Sequence, residues 1–123
     1  MRRMSFALTT PQVLDESKTV TRRTGWKNLK AGDRLHAVKK AMGFRKGETA
    51  PAPLKTIEVI DVRRQPLNAL LDGSAWALTE IDREGFGHLT PAQFVEMFCE
   101  SHRGCRPNHL VTRIEFRYVE GAR

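Results

Sequence analysis

The short stretch SKTVTRR concentrates three hydroxyl side chains and three bases around a single valine. A lysine and a threonine hydroxyl can converge on one polar group of a ligand, while an arginine binds phosphate or the edge of a base. The alternative interpretation is a solvated sheet edge, where lysine and arginine discourage aggregation. The side chains concerned are Lys18, Thr19, Thr21, Arg22 and Arg23.

Two predicted elements position this stretch, a short helix before it and a strand within it. Thr9 or Thr10 can cap the helix, and Pro11 suits its first turn because a proline there gives up no hydrogen bond. The β-branched residues that follow Lys18 predict a return to extended chain. Because successive side chains of a strand point to opposite sides, a kink at the junction is needed to bring Lys18 beside Thr21.

Beyond this junction, strands and helices follow in irregular order. Regular alternation would indicate a doubly wound parallel sheet, so the expected class is instead α+β, a small mixed β-barrel or sheet with short helices at its rim. The strand over residues 54–64 is expected to be central because both of its faces are partly apolar. The other predicted elements are strands at 34–38 and 111–120, a loop at 43–54, one or two short helices around Asp72-Gly73, and a helix capped by Thr90.

Alternation within two of these strands predicts which side chains share a face. In the central strand, Asp61 falls on the same side as Ile57 and Val59. The final strand is expected to have one solvent-exposed face. That face holds Val111, Arg113, Glu115 and Arg117.

Length and charge limit the class of protein. A chain of 123 residues predicts one domain, over 1–123, that can bury a core of its own. Residues 1–46 hold twelve Lys and Arg against three Asp and Glu, which favours an anionic partner, although such bases can also serve solubility alone. No apolar run approaches the roughly 18 residues of a membrane span, and no signal-peptide pattern is present, so we expect a cytoplasmic protein.

Strong catalytic and cofactor signatures are absent from the sequence, including the Walker loop, GxGxxG, HExxH and GxSxG. The spacing of Cys99, His102, Cys105 and His109 resembles that of zinc ligands, but strong zinc sites contain CxxC pairs that close a knuckle. The preferred interpretation is structural: Cys99 is a small apolar residue on the inner face of a helix, and His102 lies near its C-terminus. We therefore expect neither a metal nor a cofactor.

Segments spread over residues 5–119 carry a family resemblance. The stretches SKTVTRR, GWKNLKAGDRL, TIEVIDVRR, REGF, LTPAQFVEMF and TRIEFRY together resemble the ASCH domain family, a branch of the PUA-like superfamily. The resemblance implies a small β-barrel with flanking short helices and a cleft that binds RNA or a nucleoside. The expected partner is thus a nucleoside or RNA rather than a membrane, and the sequence predicts no oligomeric state.

A bacterial subgroup of that family consists of N4-acetylcytidine amidohydrolases, whose site combines a K-T-x-T stretch with a later glutamate. By resemblance, Lys18 and Thr21 are the catalytic candidates here, with Glu84 as the preferred glutamate and Glu80 as the alternative. The longer loop at 43–54 and the CESHRGC segment depart from the smallest such enzymes, which leaves the size and identity of the substrate open. The expected substrate-binding residues are Thr19, Arg22, Arg23 and Trp26.

Amide hydrolysis needs a nucleophile, a proton carrier and a group that stabilises the oxyanion. Thr21 is a weak nucleophile unless a base removes its proton, and Lys18 can do so only if burial or a neighbouring cation lowers its pKa. Glu84 could instead activate water or protonate the departing amine. The same groups also suit a non-catalytic RNA-binding module or a ribonuclease.

Overall fold

Five strands form one mixed sheet in the order β1-β3-β4-β5-β2. The computed structural model describes residues 1–41, 47–49 and 52–120, so that residues 43–46 and 50–51 of the predicted loop lie outside the described residues. Strand β1 pairs with β3 in parallel, and the other three pairings are antiparallel. The strands are β1 (Arg3–Ser5), β2 (Val20–Arg23), β3 (Arg34–Val38), β4 (Lys55–Pro66) and β5 (Leu110–Val119).

The predicted α+β class is confirmed, but the sheet is not closed into a barrel. Its two edge strands, β1 and β2, contain three and four residues, which leaves few backbone groups for a closing contact. As predicted, β4 is the central strand. Two 3₁₀ turns, Ala7–Thr9 and Leu67–Leu71, lie at strand ends.

Within the described residues, three short helices accompany the sheet: α1 (Thr10–Leu14), α2 (Ala75–Arg83) and α3 (Pro91–Ser101). The predicted cap of α3 is present as a capping box, in which Thr90 and Gln93 satisfy each other's backbone N–H groups. Ser74 caps α2 by accepting a hydrogen bond from the Ala77 N–H at 3.2 Å. No helix within the described ranges has the length and apolar character that a bilayer crossing requires.

A β-bulge between Val59 and Asp61 changes the predicted faces of β4. Beyond the bulge, Val62 pairs with Ile114 and continues the buried face of Ile57 and Val59, whereas Asp61 pairs with Glu115. The placement of Asp61 beside Ile57 was therefore wrong, because one extra residue inverts a period-two pattern.

The face of β5 that was expected to be exposed is covered at its first half. Val111 is fully buried and packs with residues of α2 and α3, and Arg113 is 5% exposed. That prediction was wrong for these two residues, since alternation shows which side chains share a face but not which element covers that face. Arg117, further along the strand, is exposed as expected.

Two apolar clusters make up the core. The first lies on one face of the sheet and includes Met4, Phe6, Leu35 and Phe116. The second joins the helices to the start of β5. It includes Leu70, Ile81, Phe94, Phe98 and Val111. The molecule therefore has a boundary between two packed units, and this boundary holds the polar residues described next.

Candidate active site

A cavity of about 270 Å³, here called the cleft, lies where the two apolar clusters meet. Four aromatic rings contribute to its wall, Phe6 from the first cluster and Phe86, Phe94 and Phe98 from the second. The polar side chains in the lining include Lys18, Thr21, Arg22, Arg23, Glu84 and His102. An apolar wall with a few convergent polar groups is typical of small-ligand sites.

Lys18 and Glu84 form a buried ion pair at this cleft. The Lys18 ammonium lies 3.1 Å from Glu84 Oε1 and also donates to the Glu84 backbone carbonyl. Lys18 is 2% exposed and Glu84 is also 2% exposed, so neither side chain is a solvated surface charge. The interpretation of SKTVTRR as a solvated edge is thus wrong for its lysine, although β2 is an edge strand.

Burial lowers the pKa of Lys18, because removal from water disfavours the ammonium form. The Glu84 carboxylate opposes this effect, whereas the cations of Arg23 and Arg22 add to it, and the net direction is downward. The ammonium also lies 5.7 Å from the centre of the Phe86 ring, which supplies part of the apolar surroundings. At a given pH, a lysine in this environment is neutral more often than a solvated one, and only the neutral form can accept a proton.

Arg22 binds both candidate glutamates and so connects the cleft to the interior. Its guanidinium lies 2.9 Å from Glu84 Oε2 and 2.5 Å from Glu80 Oε1. Glu80 in turn accepts two hydrogen bonds from Arg113, at 2.7 and 3.0 Å. Arg22 and Arg113 are direct partners across β2 and β5, so Glu80 bridges two like charges that would otherwise repel each other.

Thr21 presents its hydroxyl to the cleft beside a cation. Arg23 Nε donates to Thr21 Oγ1 at 3.1 Å, as expected for two residues on the same side of a strand. Burial lowers the pKa of Arg23 to about 10, so that its guanidinium is still a cation at neutral pH. A fixed positive charge at the hydroxyl oxygen favours the alkoxide form and stabilises any negative charge that develops there.

Hydrogen bonds from three elements fix the backbone at Lys18 and Thr19. The Lys18 N–H donates to the Gln12 carbonyl at 3.1 Å, and the Thr19 N–H donates to the Arg83 carbonyl at 2.9 Å. From β5, the Phe116 N–H donates to the Thr19 carbonyl at 3.0 Å, and the Tyr118 hydroxyl donates to the Lys18 carbonyl at 2.6 Å. These contacts hold in place the irregular segment 17–19, which joins α1 to β2.

Gly85 allows the end of α2 to pack closely against α1. Its φ is +89°, and a Cβ at this position would lie 3.2 Å from Gln12 and 3.3 Å from Thr9. Both the backbone conformation and the lack of space exclude a larger residue without strain. Glu84 immediately precedes Gly85, so the close packing at the glycine also determines the position of the Glu84 backbone at the cleft.

The structure separates the remaining predicted residues from the cleft. The Thr19 hydroxyl accepts a hydrogen bond from Arg83 Nε at 3.0 Å, outside the cleft lining. Trp26 lines a neighbouring groove, with the Arg2 guanidinium 4.3 Å above its ring. Glu80, the alternative glutamate, lies behind Arg22, so Glu84 is the carboxylate that reaches the cleft.

Besides the wall residues Phe6, Phe94 and Phe98, three further contributors were not among the predicted site residues. Phe86 follows Glu84 and has no periodic signal, and Arg113 is recognisable only once the β2–β5 register is known. His102 lies at the C-terminal end of α3, as predicted, and its ring also stacks on Phe98 at 4.1 Å and lines the cleft. In the sequence, the wide apolar stripe on α3 was the only indication that this helix contacts both the core and the cleft.

The cysteine and histidine spacing does not form a metal centre among the described residues, where no three His, Cys, Asp or Glu side chains are arranged to hold an ion. Cys99 and Cys105 are both free thiols, partly exposed, with their sulfurs 3.7 Å apart. His102 instead directs Nδ1 to the Phe98 carbonyl at 2.8 Å.

Comparison with known proteins identifies the fold. Protein EF3133 from Enterococcus faecalis V583, described with the family model DUF984, matches with a TM-score of 0.62 and 17% identity over 97% of this chain and 76% of its own. The hypothetical protein PH0355 matches with a TM-score of 0.62 and 14% identity, over 96% of both chains. The chain shares their fold. No family model matches this chain, and neither does any curated protein.

Proposed function

We propose that this protein hydrolyses the N4-acyl amide of a modified cytidine, as the resemblance to the ASCH-family amidohydrolases implies. The observation that carries the proposal is the meeting of Lys18, Thr21 and Glu84 at one cleft, although Lys18 and Glu84 are 66 positions apart in the chain. Thr21 supplies the nucleophile and Lys18 the proton carrier, and the Arg23 cation in the same cleft lining can stabilise the oxyanion.

In the proposed reaction, Thr21 Oγ1 attacks the acyl carbonyl carbon while neutral Lys18 accepts the hydroxyl proton. Collapse of the tetrahedral intermediate breaks the carbon–nitrogen bond, and Lys18 returns the proton to the departing exocyclic amine. Water then cleaves the acyl-threonine ester and releases the acid. The Arg23 guanidinium, 3.1 Å from Thr21 Oγ1, stabilises the charge that develops on that oxygen before attack.

Glu84 has a different role in this proposal, because Lys18 and Arg22 already hold its carboxylate by hydrogen bonds at 3.1 and 2.9 Å. A carboxylate fixed in this way is an acceptor for the N–H of the substrate amide and orients it against Thr21. The cleft, at about 270 Å³, lies just below the ~300–1,000 Å³ range of drug-sized sites. It suits a flat base with a short acyl group rather than a bulky amide.

Purified protein is expected to convert N4-acetylcytidine to cytidine and acetate, measured by chromatographic separation of the nucleosides. Thr21→Val preserves the shape of the side chain but removes the nucleophile, and it is expected to lower kcat/KM by about 10³-fold or more. Thr21→Ser keeps the hydroxyl and is expected to retain substantial activity.

Mass spectrometry of the enzyme during turnover provides the control for that prediction. An added acetyl group on the peptide that contains Thr21 is expected for wild type and absent for Thr21→Val. Release of no cytidine at high enzyme concentration would defeat the proposal. Equal activity of Thr21→Val and wild type would remove Thr21 as the nucleophile.

A second candidate function is RNA binding without catalysis, and one observation favours it. A groove adjoins the cleft and shares Ser5, Ala7 and Arg23 with its lining. Trp26 and the exposed Lys39 lie in the same groove. A basic groove with an aromatic ring is typical of proteins that bind single-stranded nucleic acid.

This second function predicts binding of single-stranded RNA that weakens steeply with salt. Each neutralised phosphate contributes about −0.7 to the slope of log K against log salt. In fluorescence anisotropy titrations, Lys39→Ala is expected to make the slope shallower by roughly that amount, whereas Lys30→Ala, which changes an exposed lysine outside the groove, leaves it unchanged. Salt-independent binding, or no binding to any RNA, would exclude this function.

A further inference from the structure

Two thiols face each other at the C-terminal end of α3, on a segment that the proposed reaction does not use. The sulfurs of Cys99 and Cys105 lie 3.7 Å apart, and both residues are partly exposed. Cys99 is the ninth residue of α3, whereas Cys105 lies in the turn after it. The distance exceeds the ~2.05 Å of a disulfide, so the pair is reduced but within reach of a bond.

The turn between them explains why the thiols meet. The Cys105 N–H donates to the His102 carbonyl at 3.0 Å, and Gly104 adopts a φ of +77° that few other residues tolerate. These features fold the chain back so that Cys105 returns to the last turn of the helix. Cys105 therefore belongs to a surface turn. Such a turn can move more easily than a packed helix, and disulfide formation requires only a small movement.

Cys99 is also reachable from solvent. Its side chain contributes to a shallow surface groove beside Val95, Glu96 and Pro107, on a different side of α3 from the residues that line the cleft. A small reagent can therefore approach the Cys99 sulfur without entering the cleft. Among the described residues, no third ligand joins the pair to make a metal site.

From this geometry we propose that Cys99 and Cys105 are a redox modification site that reacts with small disulfides such as oxidised glutathione. The Cys99 thiolate attacks one glutathione sulfur, forms a mixed disulfide and releases one glutathione thiolate. Cys105 then attacks Cys99 Sγ, gives its proton to the departing glutathione thiolate and closes the protein disulfide, which releases the second glutathione. The protein loses two electrons and two protons, and one oxidised glutathione becomes two reduced molecules.

The order of these steps follows from the surroundings of each thiol. Burial raises the pKa of Cys105 to about 11, and the neighbouring sulfur adds to the effect. Cys105 is therefore protonated at neutral pH and is the resolving thiol, while Cys99 is the one that meets the reagent. His102 lies midway between the two cysteines in the sequence, and its imidazole stacks on Phe98 at the cleft. Closure of the disulfide is therefore expected to change the surroundings of this imidazole.

The test uses the full chain and oxidised glutathione, without any substrate. Trypsin cuts after Arg103, between the two cysteines, so their peptides are expected to remain joined after oxidation and to separate on reduction. Cys105→Ser is expected to trap one glutathione on Cys99. In NMR spectra, oxidation is expected to shift the ring signals of His102 and leave those of His36, on β3, in place.

Three outcomes would overturn the proposal. Wild type could accumulate single glutathione adducts to the same extent as Cys105→Ser, it could stay fully reduced, or it could form the bridge no faster folded than in urea. The last result would show that the folded geometry contributes nothing. None of these measurements depends on hydrolysis of N4-acetylcytidine, so failure of the proposed function leaves this test intact.

Discussion

Lys18→Met is expected to lower kcat/KM for N4-acetylcytidine by about 10²–10⁴-fold, the usual contribution of a positioned acid or base. Methionine keeps the length and apolar bulk of the buried stem but cannot carry a proton. The Glu84 carboxylate retains its hydrogen bond from Arg22 at 2.9 Å, so the loss of activity reports mainly on the missing amino group. Steady-state release of cytidine is the measurement, and Lys30→Met, at an exposed lysine, is the control.

The pH profile of wild type adds a second readout to this prediction. Because Lys18 must be neutral to accept a proton, kcat/KM is expected to rise with pH toward a plateau. Burial lowers the pKa of Lys18, so the midpoint of this rise lies below the ~10.4 of a solvated lysine. Undiminished activity of Lys18→Met, or a profile that falls as pH rises through this range, would remove Lys18 as the base.

Glu80→Gln is expected to lower the free energy of unfolding by about 3–5 kcal/mol, the typical cost of breaking a buried ion pair. The amide has the shape of the carboxylate but removes the negative charge that lies between the guanidiniums of Arg22 and Arg113 on paired strands. Among the described carboxylates, Arg22 then keeps only Glu84 at 2.9 Å, and Arg113 keeps only the more distant Glu115 and Asp61, at 3.5 and 3.8 Å. Urea denaturation followed by circular dichroism measures the change. Glu96→Gln, on the exposed side of α3, is the matched control and is expected to have little effect.

In acid, the free energies of unfolding of Glu80→Gln and Glu96→Gln are expected to become equal. Burial alone would raise the pKa of Glu80, but hydrogen bonds from Arg113 and Arg22 outweigh it, and the net pKa is lowered. The stabilisation by Glu80 is therefore present above the ordinary glutamate pKa of about 4.3 and is lost as pH falls through the lower folded value. A stability difference that persists unchanged in strong acid would show that charge is not its source.

The elements with local signals were predictable from the sequence. Helix α3 begins after Thr90 with Pro91 in its first turn, and both features act within a few residues of the helix start. The central position of β4 followed from the apolar character of its two faces. The K-T-x-T stretch was recognised by resemblance, and the structure places its Lys18 and Thr21 at one cleft.

The remaining features depend on long-range pairing that no local pattern contains. The alternation of residues in β4 could not predict the bulge before Asp61, because a residue is extra only relative to the strand it pairs with, here β5. Nor could a local pattern separate Glu84 from Glu80, because the two carboxylates are one helical turn apart and differ in their tertiary partners. Lys18 reaches Glu84, whereas Arg113 reaches Glu80. The burial of Arg113 likewise depends on the packing of α2 against the sheet, which no local pattern predicts.

The fixation of Lys18 and Thr19 by α1, α2 and β5 has a consequence for folding. Its longest link, from Tyr118 to Lys18, spans 100 positions in the chain. Loop-closure entropy opposes contacts of such high sequence separation until the rest of the topology exists, so the cleft assembles late and cooperatively. A partly unfolded chain thus carries the side chains of the cleft without their arrangement, and any ligand that needs this arrangement is expected to bind only to the folded protein.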